Sequence, residues 1–296
     1  MAAGSILTVL ESPVDMAAQP QEIATGVYWL QTSWANVYLV RSGASWALID
    51  TGMPKCGRLI QDTAVSLFGA VRPASILLTH FHEDHAGSAL VLSRKWSVPI
   101  YVHRDELPFV TGTPPLLIEP PKKPDPPVGG FMLPLGVLIM LSKDPRLVRF
   151  FSRVRERFAS KFNLGDAARG YVPGDGVPGL PDWECIPTPG HTPGHVAFFR
   201  KSDRVLIAGD ACLTVDIDSF WDLLRNKQSI ARPPSVATWN WQAAKASVAA
   251  LAKLDPSVLA CGHGIPMMGA ETARDLVAFA DHFSRFAMKS TSNCAP

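Results

Sequence analysis

Leu78-Thr79-His80-Phe81-His82-Glu83-Asp84-His85-Ala86-Gly87 puts three histidines and an aspartate into the six residues 80–85. Before it, Pro73-Ala74-Ser75-Ile76-Leu77-Leu78-Thr79 reads as a buried strand; after it, Gly87-Ser88-Ala89-Leu90-Val91-Leu92-Ser93 opens a helix. The polar cluster therefore lies on a strand-to-helix loop, where open α/β folds carry their chemistry. His80 and His82, separated by Phe81, have a spacing that lets two imidazoles converge on one cation from an extended backbone, while Asp84 and His85 turn into the helix and can reach a second. Imidazole nitrogens and carboxylate oxygens are the usual ligands of zinc and other first-row divalent metals. A solvated polar loop is the alternative, and four ligand-type side chains so close together argue against it.

The pattern His80-x-His82-x-Asp84-His85 resembles the signature of the metallo-β-lactamase superfamily. The resemblance implies an α/β fold, a four-layer αββα β-sandwich with metals at one edge, and further ligands in order on later strand ends. Thr188-Pro189-Gly190-His191-Thr192-Pro193-Gly194-His195 is similar to the family's third metal motif and implies His191 as a ligand, with His195 at a position the family uses structurally. The strand Arg204–Gly209 delivers Asp210, the family's shared ligand, and Ser257–Gly262 ends at His263. The implied set is His80, His82 and His191 for one metal, Asp84, His85 and His263 for the other, and Asp210 between them. Two zinc ions are the expected cofactors, with iron or manganese as alternatives. Asp50, in Asp50-Thr51-Gly52, reads either as a turn former or, by the resemblance, as a carboxylate that orients a ligand histidine from behind.

The 296 residues, 47% hydrophobic with ordinary charge, suffice for a well-buried core, and we expect one catalytic domain over 1–296. A net charge of +2 excludes wholesale nucleic-acid binding. The segment Met1–Leu7 lacks a basic region, and Glu11 and Asp15 interrupt the residues after it, so no signal peptide is expected and the cytoplasm is the expected location. Cys56, Cys185, Cys212, Cys261 and Cys294 are an odd, widely spaced set, which fits reduced thiols. Cys212 and Cys261, each two residues from an implied ligand, read as small buried strand residues.

Residues 26–33, 36–41 and 46–49 read as a three-strand meander, and Leu59, Ile60, Ala64, Val65 and Phe68 mark an amphipathic helix over 54–69. A helix over 87–96 leads to a strand at 98–102 that ends at His103, taken as a plain strand-end residue. We read 105–180 as a helical, Pro-rich insertion. Within it, the apolar run from Phe131 precedes a helix capped by Asp144-Pro145, and seven cations between Lys143 and Lys161 face only Asp144 and Glu156. Residues 131–158 are expected to be a lid, a self-association surface or a peripheral membrane contact. The sandwich resumes at 183–187, 196–199, 204–209 and 257–262, with helices around 239–254 and over Leu276–Phe286. Trp221 reads equally as a pocket wall or as a core aromatic.

Together these readings imply an enzyme: a dinuclear zinc-dependent hydrolase whose metal-activated hydroxide attacks an ester, lactone, thioester or lactam of a small, apolar substrate, with Asp84 or Asp210 accepting the proton. An aspartate at 210 looks more like the thioesterase (glyoxalase II) and lactonase members than like dedicated β-lactamases. Leu213 stands where acyl-homoserine lactonases carry a tyrosine, and no counterpart of the glyoxalase II glutathione-binding region is evident. Two other classes stay open: a mononuclear iron dioxygenase of sulfur compounds, and a non-catalytic, metal-stabilised binding module.

Overall fold

Strict alternation of side chains along the strands dictates the layering. In β3 (Asn36–Ser42) Val37 and Leu39 join one core cluster while Tyr38 and Val40 join another, and in β4 (Ser45–Ile49) Trp46 and Leu48 separate from Ala47 and Ile49 in the same way. The same split recurs in β10 (Val205–Gly209) and β11 (Val258–Cys261), whose Val205, Ile207, Val258 and Ala260 meet the faces of β3 and β4 across the central core. Both faces of these strands are buried, which explains their unbroken apolar runs. The computed structural model describes residues 19–32, 35–112, 163–219, 227–235 and 237–286.

The first sheet has the order β1 (Gln21–Ala24), β2 (Val27–Gln31), β3, β4, β5 (Ser75–Leu77), β6 (Ile100–His103) and β7 (Ala168–Tyr171). Its pairs are antiparallel up to β4 and parallel from β4 to β7. The second sheet runs β12 (Met267–Met268), β11, β10, β9 (Val196–Arg200) and β8 (Trp183–Pro187), with β10 and β11 parallel. Helices α1 (Gly57–Phe68) and α3 (Ala89–Trp96) cover the first sheet through Ile60, Ala64, Phe68 and Leu92. Helices α5 (Trp241–Ala252) and α6 (Thr272–Phe286) cover the second through Val248, Leu251, Leu276, Ala280 and Phe283. The Asn240 side chain caps α5 by accepting from the Ala243 N–H. The expected four-layer αββα sandwich is the fold of the described residues.

Parallel strands present their C-terminal ends at one edge, and this places the chemistry. The short helix α2 (Glu83–Ala86) follows β5, Asp50 follows β4, and Asp210 and His263 lie at or just past the ends of β10 and β11. The edge is sewn together across the sheets: Asn36 N–H donates to Gly262 O at 2.8 Å, and Val196 N–H donates to Thr79 O at 3.0 Å.

Of the expected 105–180 insertion, the described parts belong to the sandwich. Helix α4 (Leu107–Val110) and β7 pack on the first sheet, and Val177 and Leu180 enter the central core. The expectations for residues 131–158 and for Trp221 lie outside the described residues. No helix among the described residues is long and apolar enough to cross a membrane.

Candidate metal centre

His80 and His82 follow β5 on a loop that bends at 79–81, with His82 extended as it enters α2, and the loop from β8 to β9 brings His191 to them. His82 Nδ1 lies 3.0 Å from both His80 Nε2 and His191 Nε2, so three ring nitrogens face one point. The neighbours fix which nitrogens are free. Asp50 Oδ2 accepts the Thr79 hydroxyl at 2.8 Å, which leaves the Thr79 oxygen to accept from His80 Nδ1 at 3.0 Å and frees His80 Nε2. Thr238 Oγ1, which donates to Pro234 O, accepts in turn from His191 Nδ1 at 3.4 Å. Burial, and then the neighbouring histidines, hold His80 well below the usual imidazole range; burial does the same to His191 and lowers His82 to about 4. These are neutral imidazoles with lone pairs turned inward.

The second group differs in charge. Asp84 and His85 project from α2, and His263 follows β11; His263 Nε2 and His85 Nε2 stand 3.4 Å and 3.7 Å from Asp84 Oδ2. Asp210 lies between the two groups, with Oδ2 at 3.5 Å from His191 Nε2 and 3.4 Å from His263 Nε2, and Oδ1 at 3.6 Å from His85 Nε2. Burial opposes a charge on His85, yet Asp210, Asp84 and Asp50 outweigh it and push it up to about 9. His263 is likewise raised, against burial, by Asp210 and Asp84. Burial would raise Asp84, but His85 and His263 bring it down to about 2.

Whether a metal fits is answered by two orphaned atoms. Among the described residues, His85 Nε2 and Asp210 Oδ1 are buried without a hydrogen-bond partner, and they face each other. A buried unsatisfied pair of this kind is costly unless something outside the chain completes it. The space is also kept open by Gly262, where a Cβ would fall 2.0 Å from Asp210 Oδ1 and 2.6 Å from His85 Cε1. The donor set, nitrogen and carboxylate oxygen, suits a divalent first-row cation.

Around the ligand-type groups stands a ring of supports. Asp50 takes the role that the resemblance implied: buried, with positive φ, it accepts from Thr79 N–H at 2.8 Å and lies 2.8 Å from His85 Nδ1. His195 Nε2 accepts the Asp210 N–H at 2.9 Å, and its Nδ1 meets Thr188 Oγ1 at 2.7 Å, so it positions Asp210 from behind. His103 joins none of the groups and lies 3.7 Å from Asp105. Cys212 and Cys261 are fully buried in the helix-facing core, 3.9 Å apart. Leu213 is also fully buried, and its N–H donates to Ala231 O at 2.9 Å.

Sequence reasoning passed over Glu106. This wholly buried carboxylate accepts from Phe81 N–H at 2.9 Å and from Gly194 N–H at 2.6 Å, and burial pushes it up to about 7 despite those bonds. Its signal was faint: a lone glutamate in Arg104-Asp105-Glu106 reads as surface charge.

Comparison with known proteins agrees with this geometry. Residues 35–263 match the family model of the metallo-beta-lactamase superfamily. The probable metallo-hydrolase YflN of Bacillus subtilis (strain 168) is 37% identical over 268 residues, covering 89% of this chain and 93% of that protein. Among solved structures, the metallo-beta-lactamase family protein TTHA1429 from Thermus thermophilus shares 18% identity at a TM-score of 0.56, over 88% of this chain and 81% of that one. BJP-1, a subclass B3 metallo-beta-lactamase of Bradyrhizobium japonicum, shares 19% identity at a TM-score of 0.54, over 93% and 94%. At such identities the structural likeness is one of fold.

Proposed function

This chain belongs to the metallo-β-lactamase superfamily, and from that premise we propose that it is a hydrolase holding two divalent cations, zinc in the first instance, and cleaving an ester, lactone, thioester or lactam. His80, His82 and His191 would hold one cation, Asp84, His85 and His263 the other, and Asp210 both. The observation that carries this reading is the pair of orphaned buried atoms, His85 Nε2 and Asp210 Oδ1, in the midst of ligand-type groups that overlap through shared residues. Bound there, such cations supply an acidified water and a polarised carbonyl at neutral pH.

What the chain itself contributes is proton handling and orientation. Asp84 is the better candidate for accepting the proton of an attacking water: its side chain is 21% exposed and held ionised, while that of Asp210 is 2% exposed and enclosed by histidines. Asp210 is thereby left to the structural role of joining the two positions. Leu213, closed into the core, offers no hydroxyl to a substrate, so lactones that rely on a phenol at that place are poor candidates in this reading.

The test is metal analysis of protein purified without chelator, joined to turnover of a panel of lactones, esters, thioesters and β-lactams. Two equivalents of metal and cleavage of at least one acyl class are expected. One equivalent in fully active protein would sink the two-cation reading. Activity that requires ferrous iron and dioxygen would replace hydrolysis by sulfur-compound oxidation, and metal binding without turnover on any substrate would favour a binding module.

A further inference from the structure

Glu106 lies between two loops that carry ligand-type histidines and is hydrogen-bonded to the backbone of each. Its Oε2 accepts from the backbone N–H of Phe81, the residue between His80 and His82, at 2.9 Å. Its Oε1 accepts at 2.6 Å from Gly194 N–H, three residues beyond His191. The turn that begins at Glu106 grips Phe81 a second time, since Phe109 stacks on the Phe81 ring at 4.5 Å and 15°. Gly194 is pressed close to this carboxylate; a Cβ there would come within 2.9 Å of Glu106 Cγ.

The other group has supports of its own, besides Asp50, which it shares with the Thr79 that holds His80. Thr51 donates to His85 O through its N–H at 2.6 Å and its hydroxyl at 2.8 Å, Asp50 meets His85 Nδ1, and Thr214 donates to His263 O through its hydroxyl at 3.0 Å. The backbone bonds of Glu106 fall at Phe81, between His80 and His82, and at Gly194, past His191; Asp84 and His85 follow on the first of these loops, but His85 is held by Thr51 and Asp50.

We infer that Glu106 is a positioning residue for one metal position alone: it sets the spread of His80 and His82 and docks the His191 loop onto them, leaving the Asp84–His85–His263 position untouched. The physical reason is that one carboxylate with two acceptor oxygens satisfies both buried N–H groups at once, one from each loop. Glutamine cannot do so, because its amide nitrogen would face one of the donors. This inference rests on the two-cation reading above.

The experiment measures zinc affinity of metal-free protein by competition with a chromophoric chelator, in two backgrounds that isolate the positions. His263→Ala leaves the first position; His191→Ala leaves the second. Adding Glu106→Gln to His263→Ala should lower zinc affinity ten- to a hundredfold, the usual cost of removing a group that orients ligands. Adding it to His191→Ala should change affinity less than twofold. Glu106→Asp, which keeps the charge but is one methylene short, should give an intermediate loss in the first background only, and it serves in place of Glu106→Gln if the glutamine variant does not fold. Equal losses in both backgrounds, no loss in the first, or unfolding of Glu106→Asp would each overturn the inference. Uptake of one equivalent by the unaltered chain would overturn the two-cation reading but leave the comparison within each background intact.

Discussion

The two groups of residues that we propose hold the cations have opposite proton habits. His80, His82 and His191 sit among other imidazoles in a dry pocket, so burial and mutual repulsion keep them neutral. His85 and His263 sit among Asp50, Asp84 and Asp210, and those carboxylates hold protons on them that burial alone would remove. In the two-cation reading the first group would be ready for a cation, whereas the second would have to release protons to receive one. The difference teaches that the readiness of an imidazole is set by the charge around it, here by the carboxylates of Asp84 and Asp210.

The strongest way to break the distinction is to remove the residue common to both sides. Asp210→Asn should lower metal content at both positions and reduce kcat/KM by about a thousandfold, on the scale of losing a main electrostatic group in a closed site. Metal analysis and steady-state kinetics check this, and loss of only one equivalent would assign Asp210 to one side.

Proton release sharpens the comparison. His85 carries its proton up to about 9 in the metal-free protein, so affinity at its position should climb about tenfold per pH unit for each proton displaced between neutral pH and about 9. His82 is neutral above about 4, so affinity at its position should stay flat from pH 6 to 8. The sign for the metal-free chain is the reverse at the second position. A histidine raised from 6.5 to about 9 stabilises fully below 6.5 and loses that contribution as pH rises through about 9. Calorimetric titration with zinc in buffers of different ionisation enthalpy counts the protons, and the same proton count at both positions would refute the contrast.

Asp50→Asn should act on the second position by ten- to a hundredfold in metal affinity, because the His85 ring loses its negative partner, and more weakly on the first, through Thr79 and His80. It is read by the same chelator competition as the Glu106 substitutions, and an equal loss at both positions would show that Asp50 acts through Thr79 as much as through His85. Smallest of all, Cys212→Ala should lower stability by about 1–2 kcal/mol through a small cavity and leave both metal affinities within twofold. Denaturant unfolding and metal titration check it, and a change in metal affinity would bring Cys212 into the centre.

Much of the fold was legible because it is local. Runs of apolar, aromatic and β-branched residues marked β2 to β6 and β8 to β11, and the helices α1, α3, α5 and α6 were legible to within a few residues. The missed strands have identifiable causes. Strand β1 is polar at its start, β12 has two residues, and β7, with Arg169 and Gly170, pairs only with β6 at the sheet's end and has little to bury. Its Pro-rich approach made 105–180 read as one insertion, although β7 and Leu180 belong to the sandwich.

For the centre, the sequence alone determined the local half: His80 and His82 on the loop after β5, and Asp84 and His85 on the first turn of α2, fall within six residues, although the loop bends at 79–81 where an extended run was expected. The resemblance supplied His191, Asp210 and His263 as expectations. Only the tertiary structure decided what stands behind them. Asp50 lies 35 positions from His85 and Glu106 lies 88 from Gly194, and no pattern of period 2 or 3.6 reports contacts at such separations. Proton affinities belong to the same level, because they depend on distances of about 3–4 Å between groups that only the folded edge brings together.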